Sequence, residues 1–139
     1  MSQVITPGKT QTLLKESYVH IYFDTQNRIV YAKWIGFLRI EETKRACRFL
    51  IDFIKQNKIT LHLSEQTELK VLSKDVQEYL TGTCFPELEQ NGLRKIAVLL
   101  SEDIFAQASV ANVNTKATIG KFQINTFGSS QKANDWLTA

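Results

Sequence analysis

Apolar positions along this chain fall into short alternating runs separated by stretches of helical period. Tyr18 to Phe23 alternates strictly, with Val19, Ile21 and Phe23 on one side and Tyr18, His20 and Tyr22 on the other. Asp24-Thr-Gln-Asn27 has a turn composition, and Arg28 to Ile35 reads as a second strand ending at Gly36. Together they predict an antiparallel hairpin. From Ile40 to Lys58 the period changes to that of an amphipathic helix. Ile40, Cys47, Leu50, Ile51 and Ile54 make its apolar stripe, widened by Phe49 and Phe53, while Glu41, Lys44, Arg45, Arg48, Asp52 and Lys55 face water.

Ile59 to Ser64 alternates again, setting Ile59, Leu61 and Leu63 against Thr60, His62 and Ser64. Ser73 caps a second helix carried by Val76, Tyr79 and Leu80, which Gly82 and Pro86 kink or split before Gly92. Ile96 to Leu100 is apolar at every position. Its shortness, Gly92 before it and the capping Ser101 after it select a strand, buried on both faces and central to the sheet. A helix is expected from Glu102 to about Lys116, then a strand from Phe122 to Phe127. Ser129 or Ser130 caps a last short helix with Ala133, Trp136 and Leu137 on one side. Leu13 and Leu14 are candidates for a further edge strand.

The order β-β-α-β-α-β-α-β-α predicts an α/β fold with a mixed sheet of about five strands, an antiparallel N-terminal hairpin followed by parallel strands. The polar faces of several strands point to helices mainly on one side of the sheet. The open face is then expected to carry Tyr18, His20, Tyr22, Thr60, His62, Gln123 and Asn125.

Composition narrows the picture without naming a chemistry. The chain has 139 residues, 43% hydrophobic and 22% charged, and a net charge of +3. That is one soluble domain over residues 12–139, preceded by a loose polar lead-in at 1–11. The charge is too small to argue for nucleic acid, and no apolar run approaches the ~20 residues that span a bilayer. The N-terminal Met-Ser-Gln-Val-Ile-Thr-Pro-Gly lacks the pattern of a signal peptide, so the cytoplasm is the expected compartment. Cys47 and Cys84, without a Cys or His near either in sequence, are expected to be buried thiols.

Three stretches carry a resemblance. They are Asp24-Thr-Gln-Asn-Arg-Ile-Val-Tyr-Ala-Lys-Trp-Ile-Gly36, Val71-Leu-Ser-Lys-Asp-Val-Gln-Glu-Tyr79, and Leu93 through Gln107. The chain resembles the SpoIIAA-like (STAS-like) superfamily, in particular its small uncharacterised bacterial members, over most of residues 12 to 138. The resemblance implies a βα-superhelix domain that regulates or binds partners, commonly without catalysis. One departure matters. The anti-sigma-factor antagonists of that superfamily carry an Asp-Ser phospho-acceptor motif after the third strand, where this chain has Leu63-Ser-Glu-Gln-Thr-Glu-Leu69. No phosphorylation site carries over; Ser64 and Thr67 are acceptors by position only and read as solvated loop residues.

Candidate sites follow from side-chain chemistry. His20 and His62 are the only histidines, and neither has a Cys, Asp or Glu at ligand spacing, so no metal and no cofactor is expected. Lys44, Arg45 and Arg48 share a helix face with Glu41 and Asp52 four residues away, which answers the charge locally. Glu102 and Asp103 after Ser101 repel a phosphate at that helix start and, with Glu65 and Glu68, make an acidic rim. With no nucleophile–base pair, an enzyme ranks last. A non-enzymatic regulatory or interaction module ranks first, self-associating as a homodimer through Tyr18, His20 and Tyr22. The alternative is a small-molecule carrier or sensor, its apolar pocket lying between the second helix and the sheet with walls of Trp34, Tyr79, Phe85 and Leu88.

Overall fold

The computed structural model describes residues 10–70, 72–101 and 123–139. A six-stranded sheet runs in the order β1-β2-β3-β4-β5-β6. Its strands are β1 (Thr10–Lys15), β2 (Val19–Asp24), β3 (Ile29–Gly36), β4 (Leu61–Leu69), β5 (Lys95–Leu99) and β6 (Gln123–Phe127). The first three pair antiparallel and the rest parallel. The additional strand is β1, which holds Leu13 and Leu14 and starts at Thr10, inside the expected lead-in.

Local chemistry explains the connections. At the β2–β3 turn Asp24 Oδ1 accepts from the Gln26 and Asn27 amides at 2.9 and 3.1 Å, and Arg28 takes a left-handed φ of 56°. Helix α1 (Ile40–Asn57) starts where the Arg39 amide donates to the Glu42 carboxylate at 3.1 Å. It ends at Lys58, also left-handed, with the Ile59 amide bonded back to Ile54 O at 3.1 Å. The second helical segment is α2 (Lys74–Tyr79), a π-helical turn (Leu80–Cys84) and α3 (Phe85–Gln90). Pro86 and Gly82 thus mark a change of winding, as their positions predict.

The sheet is covered on both sides. Val19, Ile21, Phe23, Val30, Ala32 and Ile96 pack with Leu50, Ile51 and Ile54 of α1 and with Cys84 and Leu88. On the other side Ile29, Tyr31, Leu63, Ala97 and Leu99 pack with Ala133 and Leu137 of α4 (Ser130–Thr138). Two polar contacts anchor that helix. Tyr31 Oη donates to Asn134 Oδ1 at 2.8 Å in a buried pair, and Lys95 Nζ donates to Trp136 O at 2.8 Å near the helix C-terminus.

Several expectations change. Tyr18 lies in the bend before β2, where strand alternation does not yet hold, and is buried at 7% exposure among the residues facing α1. His62, 3% exposed, also lies under α1, whereas Leu61 and Leu63 face α4. Alternation shows that these sets oppose each other, but α4 gives either side a core to join. Gln123 and Asn125 do stay exposed. Strand β5 is interior but lies next to the edge strand β6, so the centre of the sheet is β3 and β4. Arg48 pairs across helices with Glu87 at 3.2 Å, not with Asp52, and Glu68 pairs with Lys33 at 3.0 Å. The helix expected after Ser101, with Glu102 and Asp103, lies outside the described residues.

The Tyr31–Asn134 bond should carry much of the docking of α4. Tyr31→Phe removes the donor and leaves Asn134 Oδ1 buried without it, which should lower the unfolding free energy by about 1–3 kcal/mol. Urea unfolding is the measurement, and a variant as stable as the parent would show that α4 is held by apolar packing alone.

Candidate functional site

A cavity of about 50 Å³ opens between the sheet and the helices of the α1 side. About 10–15 Å³ on this measure holds one water, so the space takes a few waters or a short apolar chain. Helix α1 supplies Thr43, Cys47 and Leu50, and the π-turn and α3 supply Leu80, Cys84, Phe85 and Leu88. The floor is Trp34 of β3, then His62, Ser64 and Gln66 of β4, and Ile96 and Val98 of β5. Leu38, Leu69 and Leu72 close the side where β3 and β4 end.

Parallel register builds the floor. Val30, His62, Ile96 and Ile124 pair across four strands, and Ala32, Ser64, Val98 and Thr126 form a row two residues further on. Beyond it the β3–β4 pairing slips. Lys33 pairs with Glu65 but Ile35 with Glu68, so Gln66 and Thr67 oppose Trp34 alone. Such a bulge re-aims side chains. Here it accompanies a polar knot in which Trp34 Nε1 and Gln66 Nε2 both donate to Ser64 Oγ, at 3.2 and 3.1 Å.

His62 Nδ1 lies 2.8 Å from Val30 O. A carbonyl only accepts, so Nδ1 carries the proton and Nε2 the lone pair. No hydrogen bond to another described residue reaches Nε2. Among the described residues the one sealed side-chain polar atom without a partner is Tyr18 Oη. His62 lines the cavity, and Nε2 is the ring nitrogen that its bond to Val30 leaves over.

Comparison with known proteins speaks to the fold. No family model matches the chain, and no curated protein matches it. Among solved structures it is similar to an uncharacterised protein of the DUF3478 family from Shewanella loihica PV-4, described as having a SpoIIAA-like fold. The TM-score is 0.53 at 18% identity, over 91% of this chain and 99% of that one. The fold is SpoIIAA-like.

On this SpoIIAA-like frame the expected site residues divide. Trp34, Phe85 and Leu88 line the cavity, while Tyr79 stands outside the lining, beside the core, with Lys44 Nζ 5.9 Å from its ring centre. Of the expected interface residues, Tyr18 is buried on the α1 side, which removes it from any outer surface. His20 and Tyr22 are half-buried. Thr12 Oγ1 is 3.1 Å from His20 Nε2, and Tyr22 stacks on Tyr31 with ring centres 4.8 Å apart. Ser64 is a buried strand residue rather than a solvated loop residue, and Thr67 is exposed, donating to Glu65 Oε2 at 3.2 Å.

Sequence reasoning missed the polar floor, although its signal was present. His62, Ser64 and Gln66 recur at period two in one strand, which places them on one face whichever way that face turns. It also missed that Cys47 and Cys84 meet. Both thiols line the cavity, and the neighbouring Cys84 together with burial pushes the Cys47 thiol up, away from the reactive thiolate. No group of three metal-ligating side chains occurs among the described residues, and no described helix is long and apolar enough to cross a membrane.

Burial lowers the His62 imidazole from 6.5 to about 4, against the Val30 hydrogen bond that raises it. The unfolded chain protonates near 6.5 and the folded one only near 4, so between these values the unfolded state binds more protons. Stability should therefore fall as pH drops through this window, by up to about 3 kcal/mol at 1.36 kcal/mol per pH unit. His62→Gln should flatten that part of the curve. Urea midpoints from pH 7 to pH 4 test this, and equal slopes for parent and variant would mean that His62 titrates normally.

Proposed function

We propose that this protein is a non-enzymatic binding module, a carrier or sensor that holds a small, mostly apolar molecule between the sheet and its kinked second helical segment. The observation that carries the reading is the cavity itself. Leu38, Leu50, Leu80, Phe85, Leu88 and Ile96 wall a space whose floor includes the His62 imidazole, and its Nε2 has no hydrogen-bond partner among the described residues. Binding sites commonly combine an apolar lining with a few convergent polar groups in this way. A catalytic reading has less support. An imidazole that protonates near 4 is a poor general base at neutral pH, and the Cys47 thiol is held in its neutral form.

A regulatory role fits a sensor of this kind, because ligand in the cavity would touch α1, the π-turn and α3 at once. Self-association remains a second reading on narrower ground. Helix α4 packs over β4, β5 and β6, and His20 and Tyr22 lie on β2, beside that cover. Tyr22→Lys should then turn a dimer into a folded monomer in sedimentation, and a parent protein monomeric at high micromolar concentration would end this reading.

The binding reading is tested with 1-butanol. Its few heavy atoms limit it to roughly millimolar affinity. Methyl resonances of Leu50, Leu80 and Leu88 should shift and saturate, and Val98→Phe, which fills the space, should abolish the response in a folded protein. Shifts that never saturate, or that persist unchanged in Val98→Phe, would refute it.

A further inference from the structure

We propose that His62 Nε2 and the Ser64 hydroxyl are the recognition groups of the cavity, and that its ligand carries an uncharged head that both donates and accepts a hydrogen bond, an alcohol or a primary amide, on a short apolar tail. This deepens the binding reading above and rests on it.

The assignment follows from counting donors and acceptors. The His62 Nδ1 proton is committed to Val30 O at 2.8 Å, which leaves Nε2 as an acceptor that no described residue bonds. Ser64 Oγ accepts from Trp34 Nε1 at 3.2 Å and from Gln66 Nε2 at 3.1 Å. Its two lone pairs are then occupied, and what remains is its O–H as a donor. The two residues are alternate positions of β4, on one face and roughly 7 Å apart along the strand. One acceptor and one donor thus stand on one face of β4, among a lining that is mostly Leu, Ile, Val and aromatic side chains, with Thr43 donating to Arg39 O and Gln66 to Ser64.

Charge excludes the other head groups. None of the described residues lining the cavity is an Asp, Glu, Lys or Arg. The imidazole stays neutral near pH 7, so it offers no cation to an anion. A carboxylate would satisfy Ser64 but set its lone pairs against that of Nε2. An ammonium would satisfy Nε2 and bring an unpaired charge into an apolar enclosure, which costs far more than one hydrogen bond returns. A hydroxyl or a primary amide meets both groups without charge.

The test uses 1-butanol, n-pentane and butanoate as probes of the whole protein, followed by NMR. In the unmodified protein 1-butanol should move the His62 Nε2 nitrogen resonance toward its hydrogen-bonded position, and n-pentane should leave it in place. Ser64→Ala and His62→Phe should each weaken 1-butanol by about three- to tenfold, the range of one hydrogen bond, with n-pentane affinity unchanged. The nitrogen resonance keeps the question answerable if either variant fails to fold. Butanoate binding more tightly than 1-butanol, a silent Nε2 on saturation with 1-butanol, or equal weakening of both neutral probes would overturn the head-group assignment and leave the cavity standing. If neither neutral probe saturates, the cavity holds water alone, and the binding reading falls with this one.

Discussion

The hydrogen bond from His62 to the Val30 carbonyl is the constraint on which the candidate site depends. It exists because β3 and β4 pair in parallel with Val30 opposite His62, and because α1 covers that face of the sheet. An imidazole in such a place cannot afford a charge, since an unpaired ion removed from water is far less stable than the neutral ring. Neutrality leaves one ring proton, and the carbonyl takes it. The ring of this cavity-lining residue is thus held by a backbone atom.

The two-layered cover of the sheet makes this arrangement affordable in packing terms. Helix α4 gives Leu61, Leu63, Ala97 and Leu99 a core of their own on the far side. The apolar residues of β4 are therefore not needed beneath α1, and the strand can turn His62 and Ser64 inward. The Tyr31–Asn134 bond and the Lys95 contacts with Trp136 thus bear on the cavity although they lie across the sheet from it.

Irregular backbone concentrates around the same space. The π-turn carries Leu80 and Cys84 into the wall, and the slipped pairing between β3 and β4 lies beside Trp34 and Gln66. Both features are common near functional sites, because each shifts side chains off the regular period. Here they lie at the Trp34 indole and the Cys84 thiol, both on the cavity wall.

Much of the fold was legible in the chain itself. Strict alternation fixed the β2–β3 hairpin, helical period fixed α1, and the unbroken apolar run fixed β5, because each pattern reflects a local geometry that few alternatives satisfy. The edge strand β1 was weaker, since Thr10–Lys15 carries one short apolar pair among polar residues. Phe85 and Leu88, beside the predicted kink, and Trp34 on β3 do line the cavity. Tertiary structure alone decided the rest. Alternation says that Leu63 and His62 oppose each other but not which of them meets α1; the packing of Leu63 with Ala133 and Leu137, far along the chain, is seen only in three dimensions. The meeting of Cys47 with Cys84, the burial of Tyr18 at a bend, and the bonds of His62 to Val30 and of Trp34 to Ser64 all arise from contacts between distant segments, which no local period encodes.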